Sequence, residues 1–221
     1  MRFAEAASRL ASLPPRLPQP PAALMPVRLD TGERRGPAIL TGPASARPAA
    51  VLVLIAPAVA GPGTADADVD AEVILIRRVD RGGHHSGDVA LPGGRFEDGD
   101  ADAPAAALRE AAEEVGLDSV AAGVRIVGDL ETFWIPISDY RVTPVLAIAS
   151  RRPDLIASAD EVAEILWAPL SAFLPAAPIE IVEADVLDFR VRYGAYPIPG
   201  AQVWGATARI LGQLGAVVGP P

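Results

Sequence analysis

The chain has no cysteine and less positive than negative charge, and each shortage excludes a class of structure or function. Without cysteine, its 221 residues form neither a disulfide nor a thiolate metal site, and this composition suits a cytoplasmic protein. Asp and Glu outnumber Lys and Arg by 28 to 19, which gives a net charge of -9. Because nucleic acids and anionic membranes attract basic surfaces, we predict no nucleic-acid partner and no membrane partner.

Long hydrophobic segments are also missing. The longest apolar run, from Ala49 to Gly61, is too short to span a bilayer. Glu5 and Arg9 interrupt what would be the apolar region of a signal peptide, so none is predicted. The length fits one domain with a sizeable core plus an appended segment. We therefore predict an N-terminal helix and proline-rich arm over residues 1–47 and a folded domain over 48–221.

Strand and helix patterns alternate within that domain. Strands are predicted at 51–56, 72–78, 124–133, 140–148, 162–167 and 186–193, and a closing helix at 202–214. Another helix is predicted after Asp102, a good N-cap, and Gly116 is placed to end it in the left-handed conformation. Its core-facing stripe is predicted to be Ala105, Leu108, Ala112 and Val115.

A second face of this helix carries the carboxylates of Glu110, Glu113 and Glu114. Like charges at this spacing destabilise an isolated helix, so a cation that neutralises them is expected. Ligation by carboxylates alone indicates a hard ion such as Mg²⁺ or Mn²⁺. Arg109 is four residues before Glu113 and is predicted to pair with it and fix its rotamer. The alternative is an ordinary solvated face of a charged helix.

The same segment resembles the Nudix box, G-x5-E-x7-R-E-U-x-E-E-x-G-U, in which U is an aliphatic residue. The matching pairs are Arg109-Glu110, Glu113-Glu114 and Gly116-Leu117. Counted from Gly94, the position of the box glutamate holds Asp100, and the run from Asp100 to Arg109 is one residue longer than in the box. A longer loop with Asp at this position resembles the coenzyme A diphosphatase branch of the family.

Three further stretches resemble motifs of that branch. They are His85-Ser86-Gly87 followed by Ala90 to Gly94, then Ser138 to Val145, and finally Val203 to Ala208. In the branch's upstream coenzyme A motif, Arg78 and Gly87 match, while Gly83 stands where the second arginine would be. Arg81, His84 or His85 could supply that positive contact. The residues predicted to bind substrate are Arg78, His85 and Arg95.

The resemblance implies an α/β fold, a Nudix-type α/β/α sandwich with a mixed β-sheet, in which a homodimer is plausible. It also implies metal-dependent hydrolysis of coenzyme A or acyl-coenzyme A to 4'-phosphopantetheine (or its acyl form) and adenosine 3',5'-bisphosphate. The implied ligands of Mg²⁺ or Mn²⁺ are Glu110, Glu113, Glu114 and the carbonyl of Gly94. Glu110 is the first choice of general base and Glu164 the reserve, and Arg109 positions the carboxylates. Glu161 and Glu164 are three residues apart on a predicted strand, so at most one faces the site.

Two other functions fit the sequence. A Nudix hydrolase of another nucleoside diphosphate derivative, such as ADP-ribose, NADH or a dinucleotide, is favoured by the imperfect upstream motif. A Nudix-fold binding module without turnover is less consistent with the chain, because Arg109, Glu110, Glu113 and Glu114 are all retained.

Overall fold

The computed structural model describes residues 1–33, 42–61, 68–80, 82, 87–186 and 189–219. The helices are α1 (Phe3–Arg9), α2 (Ala103–Val115) and α3 (Gly205–Val218). The strands are β1 (Val27–Arg28), β2 (Arg47–Pro57), β3 (Ala71–Arg78), β4 (Val89–Ala90), β5 (Gly93–Arg95), β6 (Val124–Asp129), β7 (Phe133–Ile135), β8 (Tyr140–Ala149), β9 (Val162–Pro169), β10 (Glu180–Val186), β11 (Phe189–Ile198) and β12 (Ala201–Val203). None of the helices in these ranges is long and apolar enough to cross a membrane.

The main sheet has eight strands and is mixed, as predicted. Its central order is β4-β3-β2-β8-β6, while β5 pairs with β2, β7 with β8 and β9 with β3. The β2–β8 pairing is parallel and the others are antiparallel. Parallel neighbours require a crossover, which the chain makes through α2 between β5 and β6.

Helices cover both faces of this sheet, which confirms the predicted α/β/α sandwich. Alternation along β2 sends Leu52 and Leu54 into one core and Val53 and Ile55 into the other. The first core is shared with α2, and we call the sheet surface beneath it the α2 face. The second core is shared with α1 and α3.

Helix α2 begins and ends where the sequence predicts, but it buries a different stripe. The Asp102 carboxylate caps it by accepting a hydrogen bond from the Ala105 N–H at 2.9 Å, and Gly116 adopts φ 65°. Val115 is buried as predicted, whereas the predicted Ala112 is exposed and Leu108 is only half-buried. The buried residues of α2 are Ala106, Ala107, Ala111, Glu114 and Val115. One of the three carboxylates therefore belongs to the buried face rather than to a solvated one.

A smaller sheet, in which β11 pairs with β1, β10 and β12, contains strands that the sequence did not indicate. The predicted strand at 186–193 is only part of a longer β10–β11 pairing, and the one predicted at 124–133 is two strands, β6 and β7. The N-terminal segment packs against the main domain, because Phe3, Leu10 and Leu24 lie in the same core as α3. The division of the chain at residue 47 stays a prediction.

Candidate active site

The carboxylate of Glu114 is buried at the junction of α2 and β5. Glu114 is only 3% exposed, and its Oε2 accepts a hydrogen bond from the Gly93 N–H at 2.8 Å. Burial raises the pKa of Glu114 to about 7; the Gly93 hydrogen bond and the charge of Arg78 oppose this rise. A buried acid whose pKa lies near neutrality gains most from a nearby cation, which would restore its charged form.

Glu110 lies one turn earlier and covers Gly94 of β5. A Cβ at Gly94 would overlap the Glu110 carboxylate, so this position of β5 must be glycine for Glu110 to lie where it does. Burial also raises the pKa of Glu110, and the hydrogen bond from Arg109 opposes the rise. Glu110 and Glu114 therefore approach consecutive residues of the same strand, Gly94 and Gly93.

The guanidinium of Arg109 orders the carboxylates around it. Its Nε and Nη2 donate to the two oxygens of Asp100 at 3.2 and 3.0 Å. Its Nη1 donates to Glu110 at 3.1 Å and to Glu113 at 3.0 Å, and Nη2 also donates to the Arg95 carbonyl at 3.0 Å. A guanidinium has five N–H groups, and these contacts use all of them. The predicted Arg109–Glu113 pair is present, but it is one part of a larger network.

Asp100 replaces the glutamate of the box in this network. Its side chain is 7% exposed, receives the fork of Arg109, and accepts a hydrogen bond from the Glu97 N–H at 2.9 Å. The hydrogen bonds from Arg109 lower the pKa of Asp100 and keep it ionised. Aspartate is one methylene shorter than glutamate, and the loop before Arg109 is one residue longer than in the box.

The carboxylates around Arg109 and Glu114 suit a hard divalent cation in their chemistry, but in this arrangement they do not point at one common position. In the part of the chain that the structure describes, no three His, Cys, Asp or Glu side chains are grouped as metal ligands. Arg109 holds Glu110 and Glu113 in this arrangement, while Glu114 is directed at β5. Donors that are all oxygen atoms suit a hard divalent cation better than a soft metal.

Of Glu161 and Glu164, the structure brings Glu161 to this site and not Glu164. The exposed Glu161 lies in a turn that is joined to α2, because the Ser158 N–H donates to the Glu114 carbonyl at 2.8 Å. Its charge contributes to the raised pKa values of both Glu110 and Glu114.

Glu164 lies on the opposite side of the main sheet. Leu166 belongs to the core of α1 and α3, and alternation along β9 puts Glu164 on the same face. Its carboxylate accepts a hydrogen bond from Arg77 Nε at 3.0 Å. This position does not fit the reserve role that the sequence assigned to Glu164, since the sheet separates it from α2.

Of the three residues predicted to bind substrate, the structure describes Arg78 and Arg95. Arg78 lies close enough to Glu114 for its charge to lower that residue's pKa, so it is at the site. Arg95 is at the site only through its backbone carbonyl, because its side chain is 69% exposed and pairs with Glu97 at 3.3 Å. His85 lies outside the described residues. A binding role for these residues stays a prediction.

A known domain family and several known proteins are similar to this chain. The NUDIX domain model matches residues 56–188. Nudix hydrolase 22, chloroplastic, of Arabidopsis thaliana is 36% identical over 159 residues, which cover 68% of this chain and 51% of that protein. The uncharacterized Nudix hydrolase NudL of Escherichia coli K12 is 39% identical over 140 residues, covering 61% of this chain and 69% of NudL.

This chain thus spans about half the length of the Arabidopsis relative. Among solved structures, the Nudix hydrolase RenU of M. smegmatis is 25% identical with a TM-score of 0.44, covering 66% of this chain and 80% of that one.

Proposed function

The chain belongs to the Nudix family, and we propose that it hydrolyses the diphosphate bond of coenzyme A or acyl-coenzyme A. The products are 4'-phosphopantetheine, or its acyl form, and adenosine 3',5'-bisphosphate. The observation that carries the proposal is the Arg109 network, which holds Asp100, Glu110 and Glu113 together beside the buried Glu114. A helix that served only to stabilise the fold would not need three carboxylates around one arginine, with a fourth, buried carboxylate beside them.

Glu110, Glu113, Glu114 and the Gly94 carbonyl are the residues that would hold Mg²⁺ or Mn²⁺. When bound, the cation supplies charge neutralisation for the diphosphate oxygens and a more acidic water. Arg109 does not contact substrate, since its N–H groups are engaged by protein oxygens. It is a positioning residue for the carboxylates.

Glu110 remains the first choice of general base. Its raised pKa makes it a stronger base than an ordinary surface glutamate, and its bond to Arg109 orients it. Glu161 takes the reserve role in place of Glu164, because it is exposed and belongs to the turn attached to α2. Arg78 is suited to hold a phosphate oxygen of the substrate beside Glu114.

The choice of coenzyme A over other diphosphates is supported by the sequence motifs. Asp100 and the loop that is one residue longer than in the box resemble the coenzyme A branch. Asp100 accepts two hydrogen bonds from Arg109, so the residue that departs from the box is part of the Arg109 network. Ser138 to Val145, the second motif of the branch, forms the turn before β8 and the first half of that strand, next to β2.

The test is product identification by mass spectrometry. Purified protein with Mg²⁺ or Mn²⁺ is given coenzyme A, acetyl-coenzyme A, ADP-ribose, NADH and diadenosine polyphosphates in parallel. We expect preferential release of 4'-phosphopantetheine (or its acetyl form) and adenosine 3',5'-bisphosphate. Preferential cleavage of ADP-ribose or NADH would overturn the substrate assignment while retaining the chemistry. Cleavage of none would overturn the proposed activity.

A further inference from the structure

The α2 face extends past α2 to two residues that the proposed catalysis does not use, Trp134 and Arg141. They are direct cross-strand partners of β7 and β8. Phe133, the neighbour of Trp134, packs into the core of α1 and α3, whereas Val145 of β8 packs into the core of α2. Alternation along both strands therefore puts Trp134 and Arg141 on the same face as α2.

Strand register places this pair at a definite distance from the catalytic carboxylates. Gly94, which Glu110 covers, is the partner of Ala50 of β2, and Ala50 is the partner of Thr143 of β8. Two strand spacings separate Gly94 from Thr143 by about 10 Å, and Arg141 lies about 7 Å further along β8. The backbone of Arg141 is thus about 12 Å from Gly94. That separation matches the reach from a diphosphate at α2 to the far end of the nucleoside attached to it.

Trp134 has a fixed orientation. Its indole N–H donates to the Asp139 carboxylate at 2.9 Å, and Asp139 has φ 53°, a left-handed conformation shared by no other non-glycine residue in the described ranges. The backbone of Gly42 packs against the base of the indole, where a Cβ would lie 2.6 Å from the Trp134 Cβ. Trp134 is nevertheless only partly buried. A rigid indole that keeps some contact with solvent is a stacking surface for a nucleobase.

Arg141 supplies a cation next to that ring. Among the residues that the structure describes, its guanidinium donates one hydrogen bond, to the Pro43 carbonyl at 2.8 Å. No carboxylate in the described ranges pairs with it, in contrast to Arg77, Arg95 and Arg109. Its other N–H groups are suited to a phosphate. Between this pair and Gly94, the hydroxyls of Thr132 and Thr143 form a hydrogen bond with each other at 3.1 Å.

We propose that Trp134 and Arg141 form a subsite for the 3'-phosphoadenosine end of the substrate, with the indole stacked on adenine and the guanidinium bound to the 3'-phosphate. This inference rests on the proposed function, since it needs the diphosphate to lie at α2. The pantetheine arm has neither an aromatic ring nor a charge, so it would use neither side chain. An aromatic ring beside a cation is the chemistry that recognises a phosphorylated nucleoside.

The test is equilibrium binding of the product by calorimetry in buffer containing EDTA, so that turnover is not involved. Wild-type protein is expected to bind adenosine 3',5'-bisphosphate about tenfold or more tightly than adenosine 5'-monophosphate. Arg141→Gln, which retains an N–H donor for Pro43, should abolish that preference. Trp134→Ala should weaken both nucleotides about tenfold, and Trp134→Phe should restore most of the affinity. Arg151→Gln, which changes an exposed arginine beyond the end of β8, is the matched control and should leave both affinities unchanged.

The outcomes separate this inference from the proposed function. An Arg141-dependent preference in a protein that does not cleave coenzyme A would support the subsite and overturn the function. Cleavage of coenzyme A combined with an unchanged preference in Arg141→Gln would overturn the subsite alone. Equal affinity of the wild type for the two nucleotides would also overturn it. In kinetics, we expect Arg141→Gln to raise the KM for coenzyme A, but not for 3'-dephospho-coenzyme A, with kcat within about twofold.

Discussion

Replacing Arg109 with glutamine is expected to destabilise the protein even in the absence of substrate. The Arg109 side chain is 23% exposed, and its partners Asp100 and Glu110 are 7% and 13% exposed. Without the guanidinium, these two carboxylates would stay nearly buried with no compensating cation. A buried charge left without its partner is more costly than the loss of the interaction itself.

The magnitude follows from how much of the network is buried. The bond to Glu113, whose side chain is 57% exposed, contributes at most about 0.5 kcal/mol. Breaking a buried ion pair costs about 3–5 kcal/mol, and the partial exposure of Arg109 reduces this. We therefore expect the free energy of unfolding to fall by about 2–4 kcal/mol, which would lower Tm by roughly 5–15 °C.

Urea unfolding at pH 7.5 measures this loss. The matched control is Arg192→Gln, which breaks an ion pair on the exposed β10–β11 hairpin. Arg192 is 53% exposed there, so this change should reduce stability much less. A double-mutant cycle of Arg109→Gln with Asp100→Asn should give a measurable coupling, because the two side chains share two hydrogen bonds. A loss for Arg109→Gln no larger than that of the control would refute the reasoning.

Three further predictions concern individual residues. In EDTA, Glu114, with a folded pKa of about 7 against its ordinary 4.5, binds its proton more tightly when folded. The contribution of Glu114 to stability should therefore fall by about 3 kcal/mol between pH 4.5 and 8, and Glu114→Gln should flatten the pH dependence measured in urea titrations; parallel slopes would contradict it. Gly94→Ala places a Cβ on the Glu110 carboxylate, so turnover should fall about 100-fold with little change in Tm, and normal kinetics would disprove the close contact. Gly215→Ala places a Cβ on the carbonyl of Phe173, which cannot rotate away, and should cost about 1–3 kcal/mol by thermal unfolding; an unchanged Tm would argue against that packing.

The sequence was most informative where chemistry and spacing coincide. The limits of α2 were predictable because Asp102 and Gly116 have conformational preferences that few other residues share. The Arg109–Glu113 pair was predictable because it depends only on helical spacing. The bonding of Asp100 to Arg109 was not, since it depends on the path of the preceding loop.

The buried stripe of α2 was predicted incorrectly because alanine carries little information about orientation. Alanines occur around the helix, at positions 103, 105, 106, 107, 111 and 112, so periodicity alone did not determine which of them face the sheet. The rotation of the helix depends on tertiary contacts, among them the hydrogen bond that Glu114 accepts from the Gly93 N–H. For the same reason, spacing indicated that only one of Glu161 and Glu164 would face the site, but the register of β9 on β3 was needed to show which.

The most direct test of the central claim is the metal dependence of coenzyme A cleavage in the carboxylate variants. Initial rates would be measured over a range of Mg²⁺ concentrations for wild-type protein, Glu113→Gln, Glu114→Gln and the exposed control Glu183→Gln. We expect the wild type and Glu183→Gln to require Mg²⁺ equally, and both helix variants to lose at least about 100-fold in rate or to need far more Mg²⁺. Full rates at unchanged Mg²⁺ concentration in both Glu113→Gln and Glu114→Gln would contradict the assignment of these carboxylates to a metal site.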